Sequence, residues 1–191
     1  MLNKKNWLFL PILLLLACGG GTSEADQISK LLQQAWDAFQ NADYTTAEIT
    51  FREVLNRDSQ NVEGKNGVGW ARAFQRKYQT AIDVWQEGLI LDPNFVDIHA
   101  GLCLVYQVTN QFTECIEAGN KVIELAPNYQ FKYKPDIDIN IIRGTMASAY
   151  YGLGDFDNAA KLMDAADPQN APHSADPRTL LIAIMNYLGL K

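Results

Sequence analysis

An aromatic residue stands three positions before a small one at Tyr44 and Ala47, Tyr78 and Ala81, Phe112 and Cys115, and Phe156 and Ala159. The first three of these small residues lie 34 positions apart. A recurrence of that length, with helical patterning inside each unit, calls for a chain built of like units. One such unit cannot bury its apolar face alone, so neighbours stack into a continuous core. The 191 residues are therefore read as one stack, with no need for a second core.

The first unit opens near Asp26. Ile28, Leu31, Leu32, Ala35, Trp36 and Phe39 recur at the spacing of one apolar helix face, and a second helix over 45–56 presents Ala47, Phe51, Val54 and Leu55. Unit two is the most regular, with Val68-Gly69, Tyr78, Ala81, Trp85, Leu89 and Leu91 before Asp92-Pro93-Asn94. Its small residues Gly69 and Ala81 let two helices approach, and Pro93 ends the second because it cannot continue the hydrogen-bond ladder. Unit three keeps Leu102, Tyr106, Phe112, Ile116, Val122, Leu125 and Pro127, with cysteine at both small positions, 103 and 115.

The next small residue, Ala159, comes 44 positions after Cys115, so about ten extra residues interrupt the period, around Gln130 to Ile139. Insertions of this kind map to loops on one face, often the binding face. Phe131 and Tyr133 alternate there with Lys132 and Lys134. The segment is either part of a binding surface or a loop whose aromatics cover the gap between units. Asp136 and Asp138 read as helix-capping acids. Unit four follows with Met146, Ala147, Tyr150, Gly154, Asp155, Phe156 and Ala159, its second helix cut short by Pro168. Asp176-Pro177 then reads as a cap and first helical position. The helix over 176–188 suits a terminal cap through Leu180, Leu181, Ile184 and Leu188, while Ile182 and Met185 add apolar surface available to a partner.

These residues resemble the tetratricopeptide repeat (TPR) family over about residues 28–171. The resemblance implies an all-α, right-handed α-solenoid of about four helix-turn-helix repeats, over 28–61, 62–95, 96–129 and 140–171, plus the capping helix. It also implies a concave face made by the first helix of each repeat, on which family members usually hold peptides through the second, fifth, ninth and twelfth positions. These are Ser29, Leu32, Trp36 and Phe39; Glu63, Asn66, Trp70 and Ala73; Asp97, Ala100, Leu104 and Gln107; Ile141, Gly144, Ser148 and Tyr151. The candidate peptide groove is narrowed to Leu32, Trp36, Phe39, Asn66, Trp70, Gln107, Ser148 and Tyr151. Trp36 and Trp70 are equivalent; large aromatics recur as interface anchors, and they serve either a partner segment or packing between neighbouring first helices. Leu32 and Trp36 stand where some relatives clamp a C-terminal carboxylate with Lys and Asn, which disfavours that specificity.

Ahead of the repeats, Lys4 and Lys5 precede an apolar run from Trp7 to Leu16, too short for a spanning helix and patterned as a signal sequence over 1–17. Leu15-Leu16-Ala17-Cys18 resembles the lipobox of bacterial lipoproteins. That resemblance implies a fatty-acylated Cys18, a Gly/Ser/Thr-rich tether over 18–26 and a repeat domain over 27–191. Several buried acyl chains, each contributing about 0.8 kcal/mol per methylene, attach a protein to a membrane stably. The implied location is the bacterial cell envelope, and Gly19 argues by resemblance for the outer membrane, facing the periplasm. An unidentified protein or peptide is the expected partner of such a lipid-anchored scaffold; an assembly factor of an outer-membrane machine, like pilotin or barrel-assembly lipoproteins, is the alternative.

Without Lys4 and Lys5 there are 14 basic against 22 acidic side chains, a balance that disfavours nucleic acid and anionic membrane surfaces. Cys103 and Cys115 face each other across the helix pair of unit three; in an oxidising compartment they can bridge, and otherwise they pack as two small thiols. No further Cys or His accompanies them at ligand spacing, so neither a metal nor another cofactor is expected. His99 and His173 are the only histidines and neither has a nucleophile motif around it, so an enzyme is not expected. Gly67 and Gly69 fall inside a helical pattern and read as packing positions.

Overall fold

A computed structural model describes residues 23–190. The signal sequence, Cys18 and most of the tether lie outside the described residues. In chain order the helices are α1 (Glu24–Gln40), α2 (Tyr44–Arg57), α3 (Val62–Phe74), α4 (Tyr78–Leu91), α5 (Val96–Val108), α6 (Phe112–Leu125), α7 (Ile139–Gly152), α8 (Phe156–Ala166) and α9 (Pro177–Tyr187). Among the described residues there is no strand, only one isolated antiparallel bridge between Gln130 and Asp138. None of the helices is long and apolar enough to cross a membrane.

Helix starts follow from local side-chain chemistry. Ser23 caps α1 and exchanges hydrogen bonds with Asp26, which sets its start slightly ahead of the apolar periodicity. Asp43, Asp138, Asp155 and Asp176 accept from the exposed backbone N–H groups that open α2, α7, α8 and α9. The turn inside each repeat needs one residue with positive φ. Ala42, Arg76 and Asn110 supply it at 59°, 61° and 60°, and Gly154 at 79°.

The helices form an all-α solenoid in which each packs chiefly on its chain neighbours, with first helices also meeting first helices: α1 on α3, α3 on α5, α5 on α7, α7 on α9. One core runs through α1 to α7, and a smaller one holds Ala147, Ala159, Ala160, Met163, Leu180 and Ile184 beneath α9. Close approach depends on glycine at Trp85, whose indole lies over Gly69 of α3 and Gly101 of α5, filling the space a Cβ would take at either. Its Nε1 donates to the Asn66 carbonyl at 3.2 Å. On α9, Leu180 and Ile184 are buried whereas Ile182 is exposed.

Candidate functional site

The first helices carry every candidate groove residue: Leu32, Trp36 and Phe39 on α1, Asn66 and Trp70 on α3, Gln107 on α5, Ser148 and Tyr151 on α7. Leu32 packs half-buried against the main core, and the other seven form two groups. Gln107 Nε2 donates to Ser148 Oγ at 3.0 Å, tying α5 to α7. Tyr151 packs on Phe156 of its own repeat, with ring centres 5.2 Å apart, and contributes to the core under α9. The larger group, Trp36, Phe39, Asn66 and Trp70, is covered by the chain itself, because the insertion between repeats three and four folds back over repeats one and two.

The insertion is a compact loop. Ile139 N donates to Tyr129 O at 2.8 Å and Phe131 N to Ile137 O at 2.9 Å, while Lys134 N to Phe131 O and Ile137 N to Lys134 O close its tip. Lys132 and Tyr133 form the turn that Lys134 N closes on Phe131 O, and Tyr129, Phe131 and Tyr133 all reach the first helices, at Asp97, Trp70 and Trp36. Those helices form the concave face. Phe131 stacks on Trp70 with centroids 4.3 Å apart and 18° between planes, and Tyr133 stacks on Trp36 at 3.8 Å and 4°. Phe131 also meets Trp36 and Phe39 edge-on. Trp36 and Trp70 are left 2% and 1% exposed, and Phe131 is fully buried. The lysines keep to the rim, Lys132 Nζ 5.0 Å from the Tyr133 ring and Lys134 Nζ 5.6 Å from the Phe74 ring, both within cation–π range.

Beneath these rings lies a polar row. Trp36 Nε1 donates to Glu63 Oε1 at 2.7 Å, and Asn66 Nδ2 approaches Glu63 Oε2 at 3.5 Å. Tyr129 donates its hydroxyl proton to Asp97 Oδ1 at 2.9 Å. Burial raises the Glu63 carboxyl above its ordinary value and the Asp97 charge adds to this, against the Trp36 and Asn66 hydrogen bonds and Lys132. Burial likewise raises Asp97, opposed by the Tyr129 hydroxyl. Tyr133 is pushed up to about 12 by burial and by the charges of Glu63 and Asp97. Asn66 Oδ1 and Trp70 Nε1 are buried without a hydrogen-bond partner among the described residues.

In the sequence the aromatics of the insertion and the two tryptophans stand as separate features; the structure joins them. The signal linking them is the i, i+2 spacing of Phe131 and Tyr133 matched to two equivalent indoles on neighbouring first helices. Of the loop acids, Asp138 caps α7 by accepting from Asn140 and Ile141 N–H, both at 2.9 Å. Cys103 Sγ and Cys115 Sγ are buried 3.7 Å apart as free thiols. His99 Nε2 lies 2.8 Å from the Pro93 carbonyl, and His173 Nδ1 2.9 Å from Asp164 Oδ1, so each joins local structure. Among the described residues no three His, Cys, Asp or Glu side chains gather as a metal site.

A partly buried cluster missed in the sequence joins repeat one to the middle of repeat two. Glu48 Oε1 accepts from Arg72 Nε at 2.9 Å, and Oε2 from Lys77 Nζ at 3.0 Å and Gln75 Nε2 at 3.1 Å. It links α2 to the end of α3 and the following turn.

No family model matches the chain, and no curated protein does. Solved structures do. An O-GlcNAc transferase mutant of Thermobaculum terrenum superposes with a TM-score of 0.66 at 21% identity over 78% of this chain, but the chain spans only 27% of that protein. MamA (MSR-1) gives 0.64 at 16% identity, covering 86% of this chain and 88% of that one. A thermophilic TPR protein of Thermus thermophilus gives 0.60 at 16% identity, covering 83% and 81%. At these identities the likeness is one of fold: this is an all-α helical solenoid with the fold of TPR proteins.

Proposed function

We propose that this chain is a lipid-anchored scaffold of the bacterial envelope that holds a segment of a partner protein on its concave face. The observation that carries the groove is the occupied pair of aromatic sites, for a surface that seats Phe131 and Tyr133 of its own chain on Trp70 and Trp36 has the chemistry to seat an aromatic segment of a partner. The anchor rests on Leu15-Leu16-Ala17-Cys18 and the preceding apolar run. The shared solenoid fold supports a binding role, which fold alone does not fix.

Photo-crosslinkers at Leu32 and Gln107, on first helices, are compared in intact cells with probes at Ile49 and Ile90, exposed on second helices. The expected result is one partner captured from the first-helix probes only. Capture confined to Ile49 or Ile90 would overturn the groove. For the anchor, an alkyne fatty acid labels the wild-type chain and fails to label Cys18→Ser; equal labelling of both refutes acylation at Cys18.

A further inference from the structure

Resting on that reading of the groove, we propose that residues 129–137 are an internal ligand guarding it, and that the partner displaces them with a segment of aromatic–basic–aromatic sequence. Three observations carry this.

The loop is held as a ligand is held. Its backbone hydrogen bonds close on itself or on the ends of α6 and α7 that carry it, and the Tyr129 hydroxyl on Asp97 is its hydrogen bond to another helix. What keeps it in place is ring stacking, the burial of Ile137 and the Tyr129 hydroxyl, none of them a helix hydrogen bond, so it can leave without breaking the ladders of the repeats.

The chemistry it displays is specific. Two rings at i and i+2 match two indoles on α1 and α3, and the residue between them is Lys132, whose charge acts on Glu63. A partner segment that takes up the same turn, with its rings two residues apart, places them identically.

The fit is also incomplete. Glu63 and Asp97, both partly buried, form no ion pair among the described residues, and the acceptor Asn66 Oδ1 lacks a partner. Buried polar groups without partners cost stability, so a segment that brings a longer donor, such as an arginine, gains where the internal loop does not. The loop competes because it is tethered at high effective concentration, which lowers the apparent affinity of any outside segment by the fraction of chains with an open groove.

The test uses the full chain and a fluorescent peptide of residues 128–139, with a control peptide in which the equivalents of Phe131 and Tyr133 are alanine. Two variants open the groove: Phe131→Ala with Tyr133→Ala, and a short glycine insertion after Pro127 that leaves every ring in place but loosens the tether. In fluorescence anisotropy, the variants are expected to bind the peptide at least about tenfold more tightly than wild type, with no binding of the control. Arginine in place of the peptide's Lys132 equivalent tightens binding further. If the double variant does not fold, the glycine-insertion variant decides. Folded variants that bind the peptide no better than the control, or a wild type that binds as tightly as they do, would overturn the internal-ligand proposal. Partner capture from Leu32 in either case leaves the scaffold reading standing, so the two failures are distinguishable.

Discussion

The Tyr133 ring lies parallel to the Trp36 indole at 3.8 Å, joining the insertion before repeat four to the first helix of repeat one. Among the described residues no helix-to-helix contact spans that distance along the chain. The pair is worth roughly 0.5–1.5 kcal/mol beyond the apolar area it removes from water. Tyr133→Ala is therefore expected to lower stability by about 1–3 kcal/mol and shift tryptophan emission to the red as Trp36 meets solvent. The Tyr133 hydroxyl makes no hydrogen bond among the described residues, so Tyr133→Phe should match wild type in both readings. Unchanged emission in a folded Tyr133→Ala protein would contradict the stacking.

What was legible in the sequence, and what was not, follows from the range of each interaction. The 34-residue recurrence, the Asp138 and Asp176 caps and the Pro93 stop are local, and the solenoid could be read from them. The covering of Trp36 and Trp70 was not legible, because the insertion is adjacent in sequence to repeat four and its rings contact repeats one and two. Glu48 escaped notice for a similar reason. It occupies a position on α2 that looks solvent-facing, and only the folded turn brings Arg72, Gln75 and Lys77 to it.

Glu48 should govern part of the acid sensitivity. Burial raises its pKa, but the hydrogen bonds from Arg72, Lys77 and Gln75 outweigh that and hold the carboxyl below its ordinary 4.5. A folded-state value below the unfolded one contributes stability that is present above about 4.5 and is lost as pH falls through the folded value. Glu63 and Asp97, raised by burial, act with the opposite sign. Glu48→Gln is expected to cost about 1–3 kcal/mol at neutral pH, less than a wholly buried pair because Lys77 is 50% exposed. It should cost less in acid, once the pH has fallen through the folded value. Urea midpoints at the two pH values check this; an equal loss at both would exclude a charge-linked role.

Trp85 makes the repeat-two interface intolerant of one methyl group. An alanine at Gly69 or Gly101 would drive its Cβ into the indole, which is fully buried and has no free side to move to. Gly69→Ala gains helix propensity of about 1 kcal/mol, but overpacking costs about 1–3 kcal/mol or more and breaks the Trp85 hydrogen bond to the Asn66 carbonyl. The net expectation is a loss of about 1–3 kcal/mol at either position, measured by thermal or denaturant unfolding. A stabilised Gly69→Ala protein would mean that the indole can be accommodated elsewhere.

Cys103 and Cys115 offer a covalent clamp within repeat three. Their sulfurs stand 3.7 Å apart, and the disulfide needs about 2.05 Å, a small side-chain adjustment between two facing small positions. The Cys115 contact and burial hold the Cys103 thiol well above its ordinary value, so Cys103 supplies little thiolate in the native protein and reacts slowly. Oxidation should instead occur while the chain refolds: with a small-molecule disulfide such as oxidised glutathione, the two thiols give one protein disulfide and two molecules of the reduced small thiol. In a Cys18→Ser background, so that the remaining cysteines are this pair alone, oxidatively refolded protein is expected to show no alkylation after denaturation without reductant. The closed loop should raise stability by about 3 kcal/mol over the reduced form, seen as a higher unfolding midpoint. Complete alkylation of both cysteines in the unreduced, denatured sample would show that the helix pair holds the sulfurs apart and that they pack as two thiols.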